Sequence, residues 1–387
     1  MDARPRLLIL VYSNLEMDAR VLRQVRWLSK RYEVTSAAFG RSPVEGVEHI
    51  ELEDLPPYRP GALFRLAYIA RFLLRMFPSV SRNNFRDKAA LRRLDGRTWD
   101  VIVANDVETL PLAFRLKPRC GVLADVHEYA TRQGEHSRSW RWTVAPYMRW
   151  LVKNWVSRAA AVTTVSKGLA DAYLAEFGIP AQVVTNAALM LDLRPSPVRR
   201  PIRLVHSGLA APQRRLEIMI DAVKMSKADA TLDFFLVEDH SPYLRSLRQR
   251  AAREPRIQFN PSVRLEALAA TLSEFDVGLS VFPPTTFNLA WCLPNKFFDY
   301  VQARLGIVIG PSPEMVRVVT DHGLGAITED FSAKALAQVL DALTPELVAE
   351  WKQAADRAAK PLSGESQLNV FERIVGEVLA GSKIWKR

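Results

Sequence analysis

The sequence predicts an α/β chain organised as two doubly wound domains. Three observations carry this: short apolar runs of strand length alternate with segments of helical periodicity, 387 residues with 48% hydrophobic residues exceed one ordinary core, and a proline-rich break falls near the middle. Alternation of this kind specifies a parallel sheet covered by helices, with ligands at the carboxyl ends of the strands.

The first domain spans residues 1–190. Residues 7–11, LLILV, read as a buried strand ending in polar Ser13 and Asn14. Residues 18–30 have helical spacing through Val21, Leu22, Val25 and Leu28, and 34–39 give a second strand. Runs at 101–104, 121–124 and 162–165 repeat the strand pattern, each followed by a polar segment, and 183–184 open another. Residues 191–201, LDLRPSPVRRP, carry three prolines and no periodicity, which suits a linker. The second domain, 202–365, reads as strands at 202–206, 233–237, 257–259, 277–281 and 307–309. Its helices fall at 216–225, 242–252, 265–274, 295–303, 314–320 and 333–343. Residues 366–387 hold a C-terminal helix, amphipathic over 367–380, able to pack back on the first domain.

Charge is uneven. The formal net charge is +11, with 28 Lys+Arg against 19 Asp+Glu in residues 1–190 and 25 against 23 in the remainder, so the basicity belongs to the first half. Cys120 and Cys292 have no metal-ligand or redox spacing, which points to a reducing compartment and away from structural zinc. The opening apolar run is too short for a signal-peptide core, and no stretch is long enough to cross a bilayer. A cytoplasmic protein is the expectation. Neither half has a GxGxxG or GxxxxGK[ST] fingerprint, so an ordinary NAD enzyme or P-loop ATPase is disfavoured.

The most informative stretch is LPNKFFDYVQARLG at 293–306, followed by the apolar IVIG. Asn295 can start a helix, and Asp299 follows one turn later. Free N–H groups at a helix N-terminus bind phosphate, and a carboxylate one turn in can accept hydrogen bonds from a ribose diol. The same residues also suit a capped helix packing on a sheet.

Several blocks together resemble the bacterial family 4 glycosyltransferases. In the first half they are MDARVLRQVRWLSKRYEV at 17–34, WDVIVANDVETLPLA at 99–113, VLADVHEY at 122–129, AVTTVSKGLADAYLAEFG at 161–178 and VVTNA at 183–187. In the second they are LVHSGLAAPQRRLEIMIDA at 204–222, IQFNPSV at 257–263, FDVGLSVFP at 275–283 and LPNKFFDYVQARLGIVIG at 293–310. The resemblance implies the GT-B fold, two Rossmann-like domains facing across a cleft, with a UDP- or GDP-linked sugar as co-substrate and no other cofactor. It implies a retaining hexosyltransferase acting without metal, because a cation and helix N–H groups stabilise the departing diphosphate.

The resemblance also distributes roles. A basic residue on the loop after the first strand of the second domain holds the donor diphosphate; Arg214 stands there in place of the usual lysine, with Arg215 beside it. Gly208 belongs to the same loop region, and Asn295 and Lys296 open the phosphate-binding helix. Asp299 matches the acid that bonds the donor ribose. The family's first acid would lie eight positions earlier, where this chain has Trp291. Glu238 and Val263 are expected near the base. His127 follows the strand at 121–124 and is assigned to hydrogen bonding with the donor sugar or the acceptor. The expected catalytic set is therefore His127, Arg214 and Lys296. Asp18 and Arg20 are expected to hold the first loop and helix in place.

The acceptor side is read from charge. Residues 59–97 contain ten Lys+Arg and two acids, interleaved with apolar residues, and on a continuous helix Arg65, Arg71 and Arg75 would share about a third of the circumference. Residues 140–155 add Trp142, Tyr147, Trp150, Arg149 and Lys153. This mixture suits the inner face of an anionic membrane and hence a lipid-linked saccharide acceptor, or else a solvated face over an aromatic core. Rival functions are a nucleotide-sugar epimerase, a catalytically silent transferase-like subunit, and a nucleic-acid-binding protein. No RNP-like, zinc-finger or helix-turn-helix signature supports the last, so nucleic acid is not expected as a partner.

Overall fold

The structure, a computed structural model, describes residues 4–53 and 62–381, and of residues 62–65, 68, 265 and 266 the backbone alone. Among the described residues thirteen strands form two sheets, and every strand pair is parallel. The first sheet contains β1 (Arg6–Asn14), β2 (Glu33–Phe39), β3 (Glu48–Leu52), β4 (Val101–Asn105), β5 (Gly121–Asp125), β6 (Ala161–Thr164) and β7 (Gln182–Val183) in the order β3-β2-β1-β4-β5-β6-β7. The second contains β8 (Ile202–Leu209), β9 (Ala230–Val237), β10 (Ile257–Asn260), β11 (Val277–Ser280), β12 (Gly306–Ile309) and β13 (Gly325–Ile327) in the order β10-β9-β8-β11-β12-β13. Each order reverses once, between β1 and β4 and between β8 and β11, and in open α/β sheets that reversal leaves a crevice at the carboxyl edge where ligands sit.

The chain divides into two compact units. The N-terminal unit runs to Val184 and includes Thr286–Asn288 and the chain from Leu368; the C-terminal unit comprises Thr185–Thr285 and Leu289–Gln367. In the N-terminal unit, Leu7, Ile9 and Val103 of the sheet pack with Val21 and Val25 of the helix Ala19–Leu28 and with Phe371, Ile374, Val375 and Val378 of the C-terminal helix Gly364–Leu379. That helix therefore supplies core that the first 184 residues lack. The C-terminal sheet is covered on both faces. Leu204, Leu232 and Phe234 pack with helices Glu217–Met225, Pro242–Ala251 and Ala333–Asp341. Val205, Ile307 and Ile309 pack with Asn295–Gln302, Pro313–His322 and Pro345–Ala359. Burial on both faces explains why these strands read as unbroken apolar runs.

Several elements escape the sequence reading, among them the helices Arg138–Asn154 and Lys167–Phe177, and three of them write little pattern. β3 is an edge strand, EHIEL, whose charged residues interrupt the apolar signal; β13 has three residues; and the helix Pro345–Ala359 buries mainly alanines, which mark a face weakly. A further difference corrects an expectation. Residues 62–94 do not form one continuous helix but three, Ala62–Leu73, Phe77–Arg82 and Phe85–Leu94. Arg75 lies in the first break at φ 54°, so it does not continue the row of Arg65 and Arg71; Pro78 opens the second helix, and Asn84 caps the third by accepting from Arg86 N. Arg59 and the Arg65 side chain lie outside the described residues.

The aromatic residues expected at a membrane divide in two. Phe77 and Tyr147 are buried, and with Phe72 and Trp150 they form one ring cluster with centroids 5.3 to 6.5 Å apart. Trp142, Leu66, Ile69, Leu73 and Leu74 remain exposed, each by more than half of its surface. Among the described residues no helix is long and apolar enough to cross a membrane.

Candidate functional site

In the C-terminal unit the site grows from the carboxyl end of β8. His206 and Ser207 are buried on the strand, and Gly208 follows at φ 123°, a conformation that L side chains rarely adopt. The position a Cβ on Gly208 would take lies 3.2 Å from Lys296 Nζ and 3.5 Å from Arg214 Nη1. Two cations thus converge on the space a side chain would fill.

Lys296 reaches this point from the first turn of the helix Asn295–Gln302. Pro294, extended at ψ 147°, is the residue that ends the incoming loop; Asn295 is the first helical residue, and its Oδ1 accepts from Asn186 Nδ2 at 2.9 Å. The expected start at Asn295 holds, although its side chain does not cap the helix. The helix is seated by Tyr300, whose ring lies against Gly278 of β11, where a methyl group would overlap it. Tyr300 Oη donates to Leu279 O at 3.3 Å and accepts from Ser207 N at 3.3 Å, tying the helix to both strands of the reversal.

Lys296 is 6% exposed, and its Nζ lies 2.9 Å from His206 Nε2, while His206 Nδ1 lies 2.8 Å from Leu279 O. Burial first, and then the Arg214 cation, hold the Lys296 ammonium well below the usual lysine range; the Asp299 carboxylate offsets part of this. Burial and the Lys296 charge likewise keep His206 well below the usual histidine range. Cys292, also near the two cations, has its thiol pushed up to about 11 by burial, against their pull. Excess positive charge out of water is costly, and an anion is the group that would offset it.

The other expected donor residues fall differently. Arg215 is exposed and pairs with Glu217 at 3.3 Å, leaving Arg214 as the arginine that joins Lys296. Glu238, one residue beyond β9, is exposed, and pairing with Arg248 at 2.5 Å holds its carboxyl below the ordinary glutamate range. Val263 is half-buried on the loop after β10. Asp299 lies one turn into the helix and is half-buried, close enough to Lys296 to act on its charge.

The N-terminal unit holds a second cluster, again at the carboxyl edge. His127, two residues beyond β5 and a third exposed, has Nδ1 2.6 Å from Asp106 Oδ1, a close ion pair off the hydrogen-bond line. Asp106 directly follows β4 with φ 67° and ψ 157°, a region that costs a non-glycine residue about 1–3 kcal/mol, and its N–H donates to Asp125 O at 3.0 Å. Beneath them Arg20 Nη1 donates to Asp125 Oδ2 at 2.7 Å, as does Gln24 Nε2 at 2.7 Å, and Thr163 Oγ1 donates to Asp125 Oδ1 at 2.8 Å. Burial and the Arg20 cation pull His127 down, but Asp106 together with Glu128 outweighs them and its net shift is upward. Asp18 caps the helix Ala19–Leu28 by accepting from Val21 N.

Sequence reasoning passed over His206, Asp106 and Asp125. Their one signal is position: Asp125 ends β5, Asp106 directly follows β4 and His206 lies in the last half of β8, toward the edge where open α/β sheets place functional side chains.

Comparison with known proteins agrees with this architecture. Residues 17–187 match the family model described as Glycosyltransferase Family 4. Sucrose-phosphate synthase from Thermosynechococcus elongatus superposes with a TM-score of 0.71 at 12% identity, covering 98% of this chain and 100% of that one. Anabaena HepE, solved in complex with UDP and glucose, gives 0.68 at 14% identity over 96% of this chain and 99% of its own. A glycosyltransferase from Rickettsia africae gives 0.67 at 13% identity, covering 97% and 99%. No curated protein matches the chain. At these identities the likeness shows the fold, which is GT-B, and the resemblance to family 4 stands.

Proposed function

We propose that the chain is a retaining glycosyltransferase that moves a hexosyl group from a UDP- or GDP-linked sugar to a saccharide or lipid-linked saccharide, in cell-surface polysaccharide or glycolipid synthesis. The observation that carries this reading is the convergence of Lys296 and Arg214 over Gly208 at the strand-order reversal. The donor diphosphate takes that seat, with the first N–H groups of the helix Asn295–Gln302 beside it. Asp299 accepts from the ribose hydroxyls, and the loops bearing Glu238 and Val263 border the base. The fold neighbour HepE, solved with UDP, supports a nucleotide donor.

The chemistry follows from charge. As the bond from the anomeric carbon to the phosphate oxygen breaks, negative charge builds on the diphosphate, and Lys296 and Arg214 stabilise it without any reorganisation. The acceptor hydroxyl bonds to the anomeric carbon on the face the diphosphate leaves, and its proton passes to the leaving phosphate oxygen. Two fixed cations perform the work a divalent metal would otherwise do, so transfer proceeds in chelator. His127 hydrogen-bonds the sugar or the acceptor.

The N-terminal unit takes the acceptor. Exposed Leu66, Ile69, Leu73 and Leu74, with Arg71 and Arg75, support peripheral binding at the cytoplasmic face of an anionic membrane. Flotation with anionic vesicles at low salt tests this, and Leu73→Asp with Leu74→Asp abolishes it.

The central test is calorimetry with UDP, GDP and ADP on wild type and Asp299→Ala, followed by acceptor assays with NMR of the product anomer. One diphosphate binding at least tenfold more weakly to the variant, and transfer with retention in chelator, is the expected result. No binding to any diphosphate sinks the reading. Binding without transfer to any acceptor leaves the silent-subunit alternative that Trp291 suggests.

A further inference from the structure

Lys296 has an unusual partner. The Leu279 carbonyl can only accept, so the proton of a neutral His206 ring sits on Nδ1, facing that carbonyl at 2.8 Å. Nε2 then carries a lone pair, and it lies 2.9 Å from Lys296 Nζ. A doubly protonated ring would aim an N–H at the ammonium, so His206 is the acceptor and Lys296 the donor. The imidazole is fixed from three sides: by β8, which carries it, by β11, whose carbonyl it meets, and by the Phe234 ring 5.9 Å away.

We propose that His206 is the positioning residue of the donor site: its neutral imidazole holds the Lys296 amine over Gly208, and a diphosphate binds by taking over that amine with uptake of a proton. This rests on the reading of the site as a donor-phosphate seat and adds what sets its geometry and proton balance. A flexible lysine would otherwise sweep several rotamers, and ordering it on binding costs about 0.5–1.5 kcal/mol per side chain. His206 imposes the order beforehand. It does so as a weak, uncharged acceptor, so a phosphate oxygen can displace it; a carboxylate in the same place would compete with the substrate.

The groups facing Lys296 agree with this role. From the turn after β8 comes Arg214, from β8 itself His206, from its own helix Asp299, and from the preceding segment Cys292. The Arg214 influence exceeds that of Asp299, so the free site disfavours a second cation. An arriving diphosphate reverses the balance, which is why proton uptake accompanies binding.

The experiment uses the full-length protein as wild type, His206→Phe and His206→Gln. Each is titrated with UDP and GDP between about pH 7.5 and 9.5, above the second phosphate ionisation near 6, in buffers of differing ionisation enthalpy, and with inorganic pyrophosphate for affinity alone. Phenylalanine keeps the ring volume without the acceptor, and glutamine restores an acceptor near the Nε2 position. Expected are proton uptake by wild type, affinity about tenfold weaker with little uptake for His206→Phe, and recovery to within about threefold for His206→Gln, all at similar melting temperature. If His206→Phe binds as tightly as wild type with the same uptake, His206 is packing only and the proposal is overturned. A phenylalanine variant too unstable to titrate transfers the decision to glutamine, where wild-type uptake supports the proposal and lost uptake refutes it. Wild type that binds pyrophosphate more tightly than His206→Phe but binds no nucleotide refutes the donor reading and leaves His206 in place; wild type that binds neither refutes both.

Discussion

Lys296 and Lys352 are the two most buried lysines of the C-terminal unit, 6% and 1% exposed, and their surroundings are opposites. Lys352 Nζ donates to Phe275 O at 2.7 Å, to Ser196 Oγ at 2.9 Å and to Asp276 Oδ1 at 3.2 Å, so its three protons and its charge are all answered. Burial lowers its basicity, and Asp276 restores part of it. Lys296 hydrogen-bonds an uncharged histidine with an arginine alongside. One lysine is a structural tie between helix, strand and linker. The other, on the function proposed above, is held ready for a phosphate. Burial alone therefore does not mark a functional cation; the sign of what surrounds it does.

The largest test of this contrast is to remove each charge in turn. Lys296→Met should weaken UDP binding by about two orders of magnitude or more, as loss of a preorganised charge contact does, while leaving thermal stability unchanged or raised. Lys352→Met should leave nucleotide affinity near wild type and cost about 3 kcal/mol, because Asp276 is left buried without its cation, keeping only the Arg203 N–H. Denaturant melts and calorimetry on both variants decide it, and equal losses of stability would break the comparison.

Gly208→Ala sharpens it. A methyl group 3.2 Å from Lys296 Nζ, on a backbone at φ 123°, strains the loop and intrudes on the seat, so UDP affinity should drop about tenfold. Unchanged binding would show that the anion does not approach that glycine.

The N-terminal cluster supplies an acid-matched counterpart, since Asp106 answers His127 as Asp276 answers Lys352. His127 is raised above its unfolded value, so the pair stabilises the unit fully below the unfolded histidine pKa, about 6.5, and the contribution fades as pH rises through the folded value. In Asp106→Asn, burial and Arg20 prevail, and the His127 titration followed by NMR should move to lower pH. The smallest effect belongs to Arg215→Ala: with its guanidinium already engaged by Glu217 on the surface, donor affinity should change less than about twofold. A larger loss would shift the phosphate role from Arg214 to its neighbour.

Much of the fold was legible because buried parallel strands and amphipathic helices leave strong periodic signals. β1, β4, β5, β8, β11 and β12 all stand where apolar runs predicted them. Among the elements missed, β3, β13 and the helix Pro345–Ala359 bury too little large apolar surface to write a pattern. The basic segment after residue 59 was read as one helix because periodicity does not register a backbone turn such as that at Arg75.

By itself the sequence determined the two-sheet α/β architecture and the helix that opens at Asn295, since these depend on local pattern, while the candidacy of Arg214 and Lys296 came with the resemblance of the surrounding blocks to a known family. Tertiary structure alone decided that Lys296 meets His206, 90 residues away in sequence, that Arg214 rather than Arg215 joins it, and that Asp106 holds His127. The reason is physical: electrostatic coupling falls with distance in space and rises with burial, and neither quantity is written in the order of residues along the chain.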